Sequence, residues 1–283
     1  MTRRSVVLLG GPDSGKTNFI GRLWSALDAR KGALVAIGQP DDIRFVLDTA
    51  DHLFQGHFAP RTQLQDGRRD FEVTVGPSSG DTEADIVIPD VHGELWRKAV
   101  VSSEIPAEWM TELESADGAL LFVRVGSDLN VRPLDWVVSR ALLQKVGNPD
   151  DQAKLPTQVM LCEMVRFLEL SLKKRPDGTN PRLSLVVAAW DAVDNGKFVQ
   201  GPEAYIKREY PMLAGKLADT QLMDVKVFGL SIVGGDLTAD DVFRAEYLET
   251  GMDGHGWVAA QAANGEWQKN SDLTLPVAWV VGF

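Results

Sequence analysis

Short, continuous apolar runs alternate with amphipathic stretches along this chain, and that alternation predicts most of its elements. Runs rich in Val, Ile and Leu with no polar face suit strands covered on both sides of a mostly parallel sheet. Six of them predict strands at Ser5–Leu9, Asp70–Val75, Asp85–Pro89, Ala119–Val125, Leu183–Ala189 and Val225–Ser231. Between the strands the period lengthens. Phe19, Ile20, Leu23 and Leu27 line one face of a helix over Lys16–Ala29, and Ile43, Val46, Leu47 and Phe54 do the same over Asp41–Phe54. A third helix over Thr157–Lys174 starts after Pro156 and stops before Pro176. A fourth over Pro202–Ala218 should be kinked or divided at Pro211, whose ring cannot continue a helix without losing a hydrogen bond. From Thr250 to Thr274 the chain turns to Gly, Asp and Asn around isolated Trp257 and Trp267, and reads as irregular.

Strands alternating with helices predict an α/β fold, a mostly parallel six-stranded sheet with helices on both faces. Composition narrows the partners. The 283 residues carry 29 Lys+Arg against 40 Asp+Glu, a formal charge of −11, which gives no diffuse attraction to nucleic acid or anionic lipid. Cys162 is the only cysteine, which excludes a disulfide framework and fits a reducing cytosol. Arg3 and Arg4 precede an apolar run that ends at Gly10-Gly11, too short for an export signal, and no stretch approaches the roughly 20 apolar residues of a membrane span. The expectation is a cytoplasmic protein with no membrane span.

The first strand ends in Gly10-Gly11-Pro12-Asp13-Ser14-Gly15-Lys16-Thr17, which matches the phosphate-binding pattern G-x-x-x-x-G-K-[ST]. Its glycines let consecutive N–H groups turn inward toward phosphate oxygens, and the following helix adds its positive end. Lys16 would bridge the β- and γ-phosphates and the Thr17 hydroxyl would ligate Mg²⁺. Gly10, Asp13, Ser14, Gly15, Lys16, Thr17 and the adjoining Asn18 are therefore the nucleotide-binding candidates. By average residue usage the pattern arises by chance in roughly one chain in a hundred of this size. Here a buried strand precedes it and an amphipathic helix follows.

A second motif closes another strand: Asp85-Ile86-Val87-Ile88-Pro89-Asp90, continuing into Val91-His92-Gly93-Glu94. Asp90 at a buried strand's end is a Walker B candidate that holds Mg²⁺ through water. The Asp90-x-x-Gly93 spacing adds a γ-phosphate sensor, with the Gly93 N–H as donor. These residues resemble the translation-factor-related (TRAFAC) class of P-loop GTPases, and within it the bacterial double-GTPases of conflict systems. The resemblance runs to about Ser231. It implies a Ras-like P-loop fold, binding of GTP or GDP with Mg²⁺, an effector protein or partner GTPase, and a place in bacterial defence or signalling.

The resemblance also implies residue roles. Thr62 would be the switch threonine that reaches Mg²⁺ and the γ-phosphate, and Arg61 beside it is either an arginine finger or a solvated loop residue. Such GTPases recognise guanine with [NT]-K-x-D, whose Asp accepts the ring N–H and amino group while the Lys stem covers the base. Here the register gives Ala188-Ala189-Trp190-Asp191, which keeps the carboxylate and loses both preceding polar residues. Asp191 would still select guanine, since adenine leaves its donors mismatched. Trp190 either stacks on the base or fills the core. Ser231, ending the last strand, occupies the position whose backbone N–H touches the guanine oxygen. Where relatives carry a water-orienting Gln or His after Asp-x-x-Gly, this chain has Glu94, which either turns away from the phosphates or acts as a base with a raised pKa. Two alternatives stay open: an ATP-driven P-loop ATPase, and an interaction module that binds nucleotide without turnover.

Other reactive residues point elsewhere. His52, His57, His92 and His255 have no zinc-ligand spacing, and Cys162 falls within an apolar helix. Lys173, Lys174 and Arg175 read as a cap for the C-terminal end of a helix. The motif order assigns the chain to one domain over 1–283, a core of about 1–232 with helical insertions near 30–56 and 126–182 and an irregular extension over 233–283.

Overall fold

The computed structural model describes residues 2–60, 69–79, 83–90, 99–100, 102, 104–131 and 156–283. Its nine strands are β1 (Thr2–Gly10), β2 (Leu34–Ala36), β3 (Arg69–Pro77), β4 (Ala84–Asp90), β5 (Gly118–Arg124), β6 (Arg182–Ala188), β7 (Asp224–Ser231), β8 (Trp257–Gln261) and β9 (Trp267–Asn270). They form one sheet in the order β2-β3-β4-β1-β5-β6-β7-β8-β9. The described helices are α1 (Lys16–Asp28), α2 (Ile43–Phe54), α3 (Ala107–Ser115), α4 (Thr157–Ser171), α5 (Asn195–Glu209), α6 (Pro211–Asp219), α7 (Asp241–Thr250) and α8 (Leu275–Val281).

The six strands expected from the sequence are β1 and β3 to β7, and β4, β1, β5, β6 and β7 run parallel. Alternate side chains of a strand face opposite ways, so β1 sends Val6 and Leu8 to one core and Val7 and Leu9 to the other. The first core is covered by α1, α2 and α8, and the second by α3 to α6. This two-sided burial is the physical reason the central strands read as unbroken apolar runs.

The sheet differs from the expected six strands by three additions. β2 joins β3 antiparallel, and β8 and β9 continue antiparallel from β7, so the sheet is mixed. The extension expected to be irregular carries α7, the β8–β9 hairpin and α8. Both outer strands are short, and β9 is largely exposed with polar Gln268, Lys269 and Asn270, features that blunt a sheet edge against further pairing. The region of the expected fourth helix is two helices meeting at Pro211, and the first is itself broken at Gly201-Pro202, where Gly201 takes φ 83. Residues 132–155, part of the second expected insertion, lie outside the described residues.

The extension is fastened by three arginines, of which Arg22 and Arg175 are buried. Arg22 of α1 donates from Nε to the Ile232 carbonyl at 3.1 Å and from Nη2 to those of Met252 at 3.0 Å and His255 at 2.6 Å. Arg175 donates to the Val280 and Val281 carbonyls at 2.6 and 2.9 Å, and Arg182 to that of Trp279 at 2.7 Å. Arg175 thus does cap a helix end, that of α8 and not the helix preceding it in sequence. Its charge meets the negative end of α8. Replacing Arg175 with Met, which keeps the stem and removes both charge-assisted bonds, should lower unfolding stability by about 2–3 kcal/mol. Chemical denaturation measures it, and an unchanged midpoint would discard this account of the cap.

Candidate nucleotide-binding site

The carboxyl ends of the parallel strands meet at one edge of the sheet, where α/β folds place their ligands. Register fixes who stands beside whom: Gly10 pairs with Phe122, Arg124 with Ala188, and Ala188 with Leu230. The phosphate-binding loop, the Asp191 turn and Ser231 are therefore brought to the same edge from three different strands.

The loop has the geometry a polyphosphate needs. Gly10 adopts φ 147, and a β-carbon there would stand 2.8 Å from both the Phe122 carbonyl oxygen and the Ser14 Oγ, so no side chain fits. Asp13 takes φ 62 and Gly15 φ 92, turning the backbone into α1. Lys16 is 7% exposed, and its Nζ donates to the Gly10 and Gly11 carbonyls at 3.0 and 3.2 Å and to the Ser14 Oγ at 3.2 Å. The ammonium is thus already folded into the loop by neutral oxygens that phosphate oxygens can replace. Asp13 is paired with Arg124, Oδ1 to Nη1 at 2.8 Å.

The positions suited to Mg²⁺ fit that hard cation. Thr17 offers a hydroxyl in the first turn of α1, and Asp90 ends β4, which runs parallel to β1 and so finishes at the same edge. Oxygen ligands few enough to leave room for phosphates and water suit Mg²⁺. No cluster of three or more His, Cys, Asp or Glu residues that could form an all-protein metal cage occurs among the described residues. Thr62, Arg61, Gly93 and Glu94 lie outside the described residues.

Asn18, a nucleotide-binding candidate by sequence, is instead engaged with the chain ahead of the expected switch. Its Oδ1 accepts a hydrogen bond from the Ala59 N–H at 2.8 Å, two residues before Arg61. On the base-recognition side, Ala189 takes φ 55 and leads into a single 3₁₀ turn, Trp190–Ala192. Asp191 is half-buried on that turn and has no hydrogen-bond or ion-pair partner among the described residues. Trp190 is fully buried, edge-on to Tyr205 at 5.3 Å, and a β-carbon on Gly229 would stand 2.6 Å from its ring. It fills the core beneath the turn and does not stack on a ligand. Ser231 is also fully buried; its Oγ accepts from the Gly234 N–H at 2.9 Å, and its backbone pairs with Trp257. Cys162 is half-buried on α4, and burial raises its thiol pKa, as for a packing residue.

A phosphate-binding loop between a buried parallel strand and its following helix, at the carboxyl edge of the sheet, defines a P-loop nucleotide-binding protein. Residues 7–280 match the family model Double-GTPase 1, and the chain belongs to that family of P-loop GTPases, which bind guanine nucleotide. No curated protein sequence matches the chain. Among solved structures it is similar to a chain of the signal recognition particle receptor SRb-GTP/SRX complex from Chaetomium thermophilum, with 12% identity and a TM-score of 0.39 over 87% of this chain and 98% of that one. No helix among the described residues is long and apolar enough to cross a membrane.

Proposed function

We propose that this chain is a Mg²⁺-dependent GTP switch that hydrolyses its nucleotide, with Thr62 and Gly93 sensing the γ-phosphate for a partner protein. The observation that carries the proposal is the inward-folded Lys16, held by Gly10, Gly11 and Ser14 in a loop that tolerates no side chain at its first glycine. Lys16 would trade those oxygens for β- and γ-phosphate oxygens, and the loop N–H groups would take the rest. Thr17, Thr62 and Asp90 would hold the metal, which when bound supplies positive charge across the β- and γ-phosphates. Asp191 would accept the guanine ring N–H and amino group, and the Ser231 backbone would meet the guanine oxygen. Hydrolysis would use Arg61 to offset charge on the γ-phosphate and Glu94 as the base for the attacking water. The family match supports the guanine preference, and the conflict-system resemblance supports a role in bacterial defence or signalling from the cytoplasm.

Ala188 and Ala189 in place of the usual polar pair keep adenine as the competing base. Isothermal titration of GDP and ADP, each with and without Mg²⁺, separates the two. GDP should bind at least tenfold more tightly, and tighter binding of ADP would sink the guanine reading.

A further inference from the structure

We propose that Arg124 is a positioning residue of the nucleotide site: by neutralising Asp13 inside the phosphate-binding loop, it supplies from the neighbouring strand the cation that the base-recognition motif of this chain lacks. The proposal rests on the nucleotide-binding reading but not on which base is bound.

Arg124 is the last residue of β5, a strand whose other six residues are buried. A cation is tolerable there because the strand is leaving the core at the ligand edge. Its register partner is Ala188, the first residue of the motif where GTPases carry Asn or Thr, and the lysine position that follows is Ala189. Two methyl groups therefore stand where polar side chains would tie that strand to the loop. The gap is narrow, since a β-carbon on Gly15 would lie 3.8 Å from the Ala188 Cβ. The Arg124 side chain reaches the loop from β5 and ends on the Asp13 carboxylate at 2.8 Å.

Asp13 creates the need. It sits at the apex of a loop whose N–H groups must face a polyanion, and a bare carboxylate there repels each incoming phosphate charge. Its φ of 62 is a conformation that, glycine aside, Asp and Asn adopt most readily. The Arg124 Nη1 meets the Asp13 Oδ1 directly, so the guanidinium charge lies against the carboxylate charge inside the loop. Arg124 thereby offsets the negative charge that Asp13 brings beside Lys16.

The test is a charge cycle read by titration with GDP and with ADP. Arg124→Ala should weaken binding of the preferred diphosphate on the order of tenfold. Asp13→Asn keeps the backbone conformation and removes the charge that Arg124 offsets, so adding Arg124→Ala to Asp13→Asn should change affinity by no more than about twofold relative to Asp13→Asn alone, rescuing the tenfold loss. That rescue is what a merely structural arginine would not show. Unchanged affinity in Arg124→Ala overturns the proposal while leaving the guanine reading intact. A double variant as weak as Arg124→Ala also overturns it, because Arg124 would then act on the nucleotide directly. A wild-type preference for ADP defeats the guanine reading alone, the same cycle being scored with ADP. Wild-type binding of neither nucleotide overturns both.

Discussion

Replacing Lys16 with alanine should lower GDP affinity on the order of 100-fold or more and remove hydrolysis altogether. Two charge-assisted hydrogen bonds to phosphate, each contributing about 1.5–3 kcal/mol, set that scale. The fold should survive. Lys16 sits at the start of α1, its Nζ contacts include the loop's own oxygens of Gly10, Gly11 and Ser14, and alanine is an excellent helix former. Titration gives the affinity, phosphate release gives the turnover, and circular dichroism checks the fold. Turnover that persists in Lys16→Ala would mean that the phosphates are held elsewhere and that the loop is a structural turn.

Trp190→Ala should have the largest effect on stability, about 3–5 kcal/mol, because it empties a fully buried site against Tyr205 and Gly229. For a chain of this size that corresponds to a melting temperature lower by about 10 °C. Trp190→Phe should cost less, about 1–2 kcal/mol, since it keeps a ring and removes an indole N–H that finds no partner in the core. GDP affinity in Trp190→Phe separates packing from stacking. Unchanged affinity agrees with a side chain turned inward, whereas a tenfold loss would return Trp190 to the base site. The residue also explains how Asp191 is presented: the turn is pinned from below by the indole, and among the described residues its carboxylate has no partner of its own.

The contrast between Trp190 and Arg124 shows what a linear reading can reach. The phosphate-binding loop and the six core strands are legible because each is written in consecutive residues, a fixed motif or an unbroken apolar run. β2 is not, being three residues long. The β8–β9 hairpin carries a signal that the composition of its surroundings hides: Asn264-Gly265 stands at its turn, where the Ala262 N–H donates to the Glu266 carbonyl at 2.8 Å. α8 looks like one more apolar stretch until it is seen capped by Arg175 and Arg182, 93 or more residues earlier in the chain. Arg124 is invisible for a related reason. Its role depends on which strand lies beside β5 and in what register, and no local pattern encodes that. Asn18 makes a tie of the same non-local kind, its side chain accepting from the Ala59 N–H, which its place beside the motif does not reveal. Arg61, Thr62, Gly93 and Glu94 rest on sequence alone, outside the described residues.

The placement of α8 has a consequence in time. This helix lies against β1, β5 and β6, the strands that carry the phosphate-binding loop, Arg124 and the Asp191 turn. It is made about fifty residues after β7 ends. At about 5–20 residues per second, the ribosome needs several seconds to supply those residues. During that interval the face of the central sheet that α8 shares with α1 and α2 is only partly covered, and Arg175 lacks the Val280 and Val281 carbonyls that receive it. The strands that carry the nucleotide site are thus made early in the order of synthesis and covered on this face late.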